Sequence, residues 1–431
     1  MGGGRELTVH AEIEALTAEG LGAGRTDTGQ PARVAGALPG ERVALTVQHV
    51  GKDGTHYGVV AAVVRAAPER VPVACPHFLA CGGCDLLHLE LGAQRDHKRA
   101  LVAEALGFER VAPTVASPRS TGYRALAKLV VGPGGILGSY RPRTHDVEDM
   151  RGCVVHAPEA ERVVDAARDA LIGAGPHDLR YVLVRASLLE GRAVVTLVTR
   201  GGPPTAALVA ALAAREDVAR VVHHVHDGDG DALWGPGPTT VLLDRGPVRE
   251  AVGPVHQSLE AGAFVQINPG AAGLLYATAV AAAAPAGKRV LDLYAGSGGV
   301  SLAMLAAGAS SVVAVESVPA AAAAARAAAE AQGVADRLEV RAAPVEAALD
   351  ALRGFDVVSV NPPRKGLGAE VVAGLGALGA PRVVYVSCNP ASLARDVAGL
   401  VEHGYQVEAV TPVDLFPHTR HVETVLVLAR A

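Results

Sequence analysis

Residues 288–317 read KRVLDLYAGSGGVSLAMLAAGASSVVAVES. An apolar run ends near Tyr294, a glycine-rich turn (Gly296, Ser297, Gly298) opens a helical stretch, and a second apolar run stops at Glu316. Strand, turn, helix and strand at this spacing form the repeating unit of a parallel sheet covered by helices. The same rhythm continues through LEVRAAP, FDVVSVNPP and RVVYVSC. From about Pro254 we therefore expect a doubly wound, Rossmann-like α/β domain. YQVEAV and HVETVLVL near the end should add an antiparallel closing pair.

The turn does not have the dinucleotide spacing and lacks the Lys-Ser/Thr of a P-loop, which disfavours NAD and ATP. Asp292 at the first strand end can accept from an amine or a ribose. Glu316, at the end of the second strand, can receive a pair of ribose hydroxyls. A glycine turn with a second-strand acid is the pattern of an S-adenosylmethionine (SAM) site. Asn361, Pro362, Pro363 and Arg364 stand at another strand end, where open α/β sheets bind ligands. Cys388 ends a further apolar strand and is a candidate nucleophile. Glu423 enters the last strand directly after FPHTRH, where Thr419, Arg420 and His421 crowd polar groups together.

At 431 residues the chain is long enough for two or three domains, and 50% hydrophobic content excludes wholesale disorder. Glycine and proline make up about 18% without a collagen period. A net charge of −5 argues against a broadly basic nucleic-acid coat but leaves room for a local basic groove. Arg119, Arg124, Lys128, Arg141 and Arg143 are candidates for it. Neither a signal peptide nor an apolar run of membrane-spanning length is evident, so the chain reads as cytoplasmic.

Upstream, residues from about Arg5 to Val64 show short β-prone runs between glycine turns, as a small barrel would, with helix left open for the first run. LHLELGAQRDHKRALVAEALGF reads as an amphipathic helix with Leu86, Leu89, Ala93, Leu101 and Leu106 inward. Residues from about Pro113 to Val252 mix strands with helices near Glu159–Leu171 and Pro204–Arg215, and HDGDGD reads as a surface turn. Five cysteines are too few for a disulfide scaffold. Cys75, Cys81, Cys84 and Cys153 are separated by five, two and 68 residues, and Gly82 and Gly83 let two of them face one centre. Four thiolates suit either zinc or a 4Fe–4S cluster.

Taken together, CPHFLACGGCDLLHL, DLYAGSGGVSL, NPPRKG, YVSCNPASLARD and FPHTRHVE resemble the SAM-dependent uracil-5 RNA methyltransferases. More narrowly, they resemble the iron–sulfur branch that modifies ribosomal RNA. The resemblance implies a TRAM-like RNA-binding barrel over 1–64, a central α+β domain with a 4Fe–4S cluster over 65–253, and a methyltransferase domain over 254–431. It implies that Cys75, Cys81, Cys84 and Cys153 hold the cluster. Gln266, Asp292, Tyr294, Gly296, Glu316 and Asn361 would contact SAM or uracil, with Cys388 as nucleophile and Glu423 as general base.

Three positions depart from the family pattern: Asn361 replaces its usual Asp, Ala328-Ala329 its usual Asn-Ala, and Pro344 an Asp near the adenine. The expected partner is an unpaired segment of 23S ribosomal RNA, met by a monomer, because the resembled transfer-RNA branch generally lacks both barrel and cluster. The alternatives are a transfer-RNA enzyme of the same chemistry, or an RNA-binding assembly factor with weak or lost activity.

Overall fold

A computed structural model describes residues 8–172, 178–229, 233–262 and 264–430. Strands β1 (Thr8–Leu16), β2 (Gly22–Thr26), β3 (Pro31–Ala35), β4 (Arg42–Val50) and β5 (His56–Arg65) close into a barrel in the order β1-β2-β3-β5-β4. The first run is strand, since its buried residues, Ala11 and Ile13, alternate with more exposed ones. Glu41, in the LPGE turn, is fully buried. It accepts from the Leu38 and Ala67 amides and from Arg70, so the barrel is tied to the chain that leaves it. Burial pushes this carboxyl up, but those hydrogen bonds outweigh it and hold it below the usual range.

Helix α1 (Leu91–Leu106) corrects the sequence reading. Its buried side chains are Gln94, Lys98 and Val102, one every turn, while Leu86 and Leu89 precede the helix and pack with Leu38 and Ala67. The inner face of α1 meets a polar turn near the C-terminus. Gln94 and Lys98 bond that turn, while Ala93 and Leu106, expected inward, do pack against apolar neighbours.

The central sheet is built from β6 (Leu126–Val131), β7 (Leu137–Tyr140), β8 (Val147–Asp149), β9 (Leu179–Ala186), β10 (Ala193–Thr199), β11 (Val218–Val225) and β12 (Thr239–Asp244). Its order is β12-β11-β10-β9-β6-β7-β8, with β10 and β11 parallel. Helices α2 (Pro158–Leu171) and α3 (Ala206–Ala213) cover it through Val163, Val164, Leu208 and Leu212. Part of the HDGDGD turn, residues 230–231, lies outside the described residues. Hairpin β13 (Arg249–Val252) and β14 (Val255–Ser258) crosses the expected 253/254 boundary, and its Val252 and Val255 pack into the C-terminal core.

That core surrounds β15 (Arg289–Leu293), β16 (Ser311–Glu316), β17 (Leu338–Ala342), β18 (Val357–Val360), β19 (Arg382–Ser387), β20 (Tyr405–Val413) and β21 (Glu423–Arg430), ordered β17-β16-β15-β18-β19-β21-β20. Strands β15 to β19 are mutually parallel and β21 is antiparallel, as the sequence rhythm predicts. Helices α4 (Pro269–Ala283), α5 (Gly299–Ala306), α6 (Pro319–Ala331), α7 (Val345–Leu349), α8 (Ala369–Leu378) and α9 (Pro390–Glu402) supply the cover. Two apolar clusters form the core, and the strand order reverses between β15 and β18, which places a ligand crevice at their carboxyl ends. No helix among the described residues is long and apolar enough to cross a membrane.

Candidate active site

The glycine turn leaves β15 at that crevice. Gly298, at φ +84°, packs so closely that an added Cβ would lie 3.0 Å from Ala325. Gly296, at φ +56°, instead faces open space, the cradle a bound ligand needs. Tyr294 shares the left-handed conformation at φ +59°. The Gly296 amide donates to Glu316 Oε2 at 2.8 Å and the Val318 amide to Oε1 at 2.7 Å. A carboxylate held this way retains lone pairs for ribose hydroxyls, so the residues present fit SAM. Asp292 lies beneath the turn, 1% exposed, and accepts from the Ser301 hydroxyl at 2.6 Å. Burial pushes it up to about 6 despite that bond.

Gln266 is buried in the segment that leads into α4. Sequence reasoning missed its neighbour Gln257, whose amide donates to the Ser297 hydroxyl at 2.8 Å and braces the turn from the hairpin. Nothing local to Gln257 marks it, because the contact spans 40 residues.

Cys388 and Glu423 come together through strand register. Ser387 of β19 lies opposite Thr424 of β21 at the last rung of the antiparallel pairing, so Cys388 and Glu423 follow at adjoining strand ends, where the Glu423 charge reaches the thiol. Glu423 is 7% exposed, and loss of water pushes its carboxyl up to about 8. The Cys388 thiol is pushed up by burial and by the Glu423 charge, with Arg364 acting the other way. The resting pair is therefore close to neutral, with the cation of Arg364 placed to favour a thiolate when one forms.

The NPPRKG turn is fixed to the cysteine turn. Asn389 and Ser392 donate to the Arg364 carbonyl at 3.0 and 3.1 Å. Buried Asp396, another residue not singled out from sequence, accepts from the Leu367 amide and the Tyr385 hydroxyl, each at 2.7 Å. Asn361 is half-buried at the end of β18, and its side chain makes no hydrogen bond to another described residue. Ala329 lies on the buried face of α6, and Pro344 directly precedes α7.

Cys75, Cys81, Cys84 and Cys153 are free thiols, all half-buried. Among the described residues no three His, Cys, Asp or Glu side chains are gathered as tightly as one metal ion requires. The four thiols nevertheless lie in one another's field. Burial pushes Cys84 up to about 12, with Cys153, Cys81 and Cys75 adding to it. Burial also raises Cys153, but the hydrogen bond and charge of His156, with backbone hydrogen bonds from Val155 and His156, together outweigh it and hold that thiol below its usual range. As a donor set, four neighbouring thiols suit either zinc or a 4Fe–4S cluster.

A family profile described as tRNA (uracil-5-)-methyltransferase matches residues 253–431. An uncharacterized RNA methyltransferase of Halalkalibacterium halodurans is 34% identical over 449 residues, spanning 97% of this chain and 96% of the relative. The chain belongs to the SAM-dependent RNA (uracil-5-)-methyltransferases. A further RNA methyltransferase, from Gloeobacter violaceus, is 34% identical across 98% of this chain and 97% of its own. The crystal structure of Pyrococcus abyssi tRNA (uracil-54, C5)-methyltransferase in complex with S-adenosyl-L-homocysteine superposes with a TM-score of 0.79 at 26% identity, covering 97% of this chain and 100% of that one. As a uracil-5 methyltransferase, the protein moves a methyl group from SAM to carbon 5 of uracil in RNA. The barrel does not separate its branches, since the transfer-RNA enzyme of P. abyssi matches along its whole length. The expectation that an N-terminal barrel signals a ribosomal target therefore loses that support.

Proposed function

We propose that this methyltransferase modifies an unpaired uridine of transfer RNA, with Cys388 as nucleophile and Glu423 as base. The observation that carries the assignment is the nearness of Cys388, just past β19, to Glu423 at the start of β21, close enough for the Glu423 charge to act on the thiol. Carbon 5 of uracil is too poor a nucleophile to be methylated directly. The Cys388 thiol loses its proton to solvent and its sulfur bonds to carbon 6, which pushes the ring π pair toward carbon 5 and oxygen 4 as an enolate. Bound SAM supplies the methyl group that carbon 5 takes. The Glu423 carboxylate then removes the hydrogen left on carbon 5. The ring double bond re-forms, and the carbon–sulfur bond breaks with its electron pair returning to Cys388.

Gly296, Glu316, Asp292, Tyr294 and Gln266 would hold the methyl donor, and Asn361 the uracil edge. Reaching the crevice requires the base to leave its stack, which is cheapest in a loop. Residues 1–64 would act as a TRAM-like RNA holder, 65–253 as the cluster-bearing module and 254–431 as the catalytic domain. Cys75, Cys81, Cys84 and Cys153 would hold a 4Fe–4S cluster that orders the central module, since methyl transfer moves no net electrons. All these residues lie in one chain, so a cytoplasmic monomer suffices.

Transfer RNA is favoured by the full-length likeness to the P. abyssi enzyme, which acts on uracil-54 of tRNA. The four-cysteine pattern favours the second reading, a uridine of 23S ribosomal RNA. Nucleoside mass spectrometry of both RNAs from cells with and without the gene decides between them. We expect 5-methyluridine to vanish from transfer RNA; loss confined to 23S RNA would move the target, and no loss in either would refute the reading.

A further inference from the structure

The turn that delivers Glu423 takes its anchors from one stretch of chain near residues 85–123. Lys98 of α1, wholly buried, donates to Asp414 Oδ1 at 2.5 Å and to the Phe416 carbonyl at 2.9 Å. Gln94, one helical turn earlier and also wholly buried, accepts from the His418 amide at 2.8 Å while its own NH2 donates to the Leu86 and Leu89 carbonyls. The Tyr123 hydroxyl donates to the Pro417 carbonyl at 3.0 Å, the Leu86 amide to the His418 carbonyl at 2.9 Å, and Arg420 to Asp85 at 2.8 Å. These ties hold His418 at φ +68°, a conformation side-chain-bearing residues rarely adopt.

A buried ammonium–carboxylate pair adds little stability over apolar residues of similar volume. What it supplies here is fixed geometry at a particular point. Asp414 directly follows Val413, the β20 residue opposite Glu423 in the β20–β21 register. We propose that Lys98, seconded by Gln94 and Tyr123, is a positioning residue for proton abstraction: through Asp414 and the turn it fixes where the Glu423 carboxylate sits. This rests on Glu423 being the base.

Deprotonation of carbon 5 comes after sulfur addition and methyl transfer. A misaligned Glu423 should therefore slow the last step alone, and the covalent protein–RNA intermediate should build up. A lysine that merely held the fold together would depress every step and build up nothing.

The test uses the full chain, methyl-labelled SAM and RNA from cells lacking the gene, with the labelled protein–RNA adduct read on denaturing gels. Lys98→Met combined with Asp414→Leu removes both charges without stranding either, and Tyr123→Phe removes a single hydroxyl. Titration with S-adenosylhomocysteine checks that each variant retains its cofactor site. We expect turnover about tenfold lower in the double variant, since small misplacements of reacting groups carry penalties of this order or more. The adduct fraction should rise several-fold in both variants, with cofactor binding unchanged. A double variant that binds cofactor but shows the wild-type adduct fraction would overturn the proposal. If the double variant does not fold, Tyr123→Phe decides, and wild-type turnover and adduct level there would overturn it. Glu423→Gln is the control. If it traps adduct and the brace variants do not, only the role of Lys98 fails; if it traps none, the base assignment fails and this inference with it.

Discussion

Burial sets the working state of Glu423. Its carboxyl is pushed up to about 8 from an ordinary 4.5 by loss of water, so it rests protonated at neutral pH. If Glu423 is the base, as proposed, only its carboxylate can take the proton from carbon 5, so decay of the covalent intermediate should accelerate as pH rises through about 8 and then level off. The same shift has a stability consequence. Between 4.5 and about 8 the folded state binds more protons than the unfolded one, so stability falls as pH rises through that window. The slope from this one group is at most about 1.4 kcal/mol per pH unit. Glu423→Gln is neutral throughout and should gain in Tm on the wild type as pH is raised across the window. A Tm difference that does not change with pH would contradict the burial argument. Cys388→Ala should abolish both adduct and methylation, because no other cysteine lies in the C-terminal sheet. At this scale the sequence marks Cys388 and Glu423 only as strand-end residues. Their nearness depends on the β19–β21 pairing, which brings together residues 35 positions apart.

Among the elements, β15, β16, β18 and β19 were legible because they are buried on both faces and read as largely apolar runs, whereas the edge strand β17, LEVRA, is half-exposed and follows from the rhythm alone. The glycine turn was legible because its conformations exclude most side chains. Gly298→Ala should therefore destabilise the protein by about 1–2 kcal/mol from the left-handed backbone alone, with the Ala325 contact adding to it. Chemical denaturation checks this, and an unchanged midpoint would contradict the packing described for the turn. Helix α1 was legible as a helix but not in its orientation. Hydrophobic periodicity finds a face only where that face is apolar, and α1 buries Gln94 and Lys98. Their partners lie 316 to 324 residues away, beyond any local pattern.

For the whole molecule, the order barrel, central sheet, Rossmann-like sheet follows from changes of rhythm along the chain, and the structure has that order. The basic cluster is less free than its sequence implies. Arg141 pairs with Glu148 at 2.6 Å, Arg143 donates to Gln48 of the barrel at 2.7 Å, and Arg124 bonds the Leu126 carbonyl. Arg119 remains exposed. If it meets a phosphate, Arg119→Ala should reduce the salt dependence of RNA binding by roughly 0.7 in log–log slope, and an unchanged slope would remove it from the interface. Anaerobically purified protein should be brown with about four irons per chain, the content of one cubane cluster, whereas stoichiometric zinc without iron would contradict the cluster assignment. The RNA target was the least legible feature, since both readings bring the same uracil ring to the same crevice.

In the proposed reaction Cys388 bonds to the base and Glu423 releases it. Mass mapping of peptides from the complex trapped by Glu423→Gln tests it most directly. We expect a methylated uridine nucleotide on the peptide containing Cys388 and on no other. A nucleotide attached elsewhere, or none on any peptide while methylation continues, would contradict it.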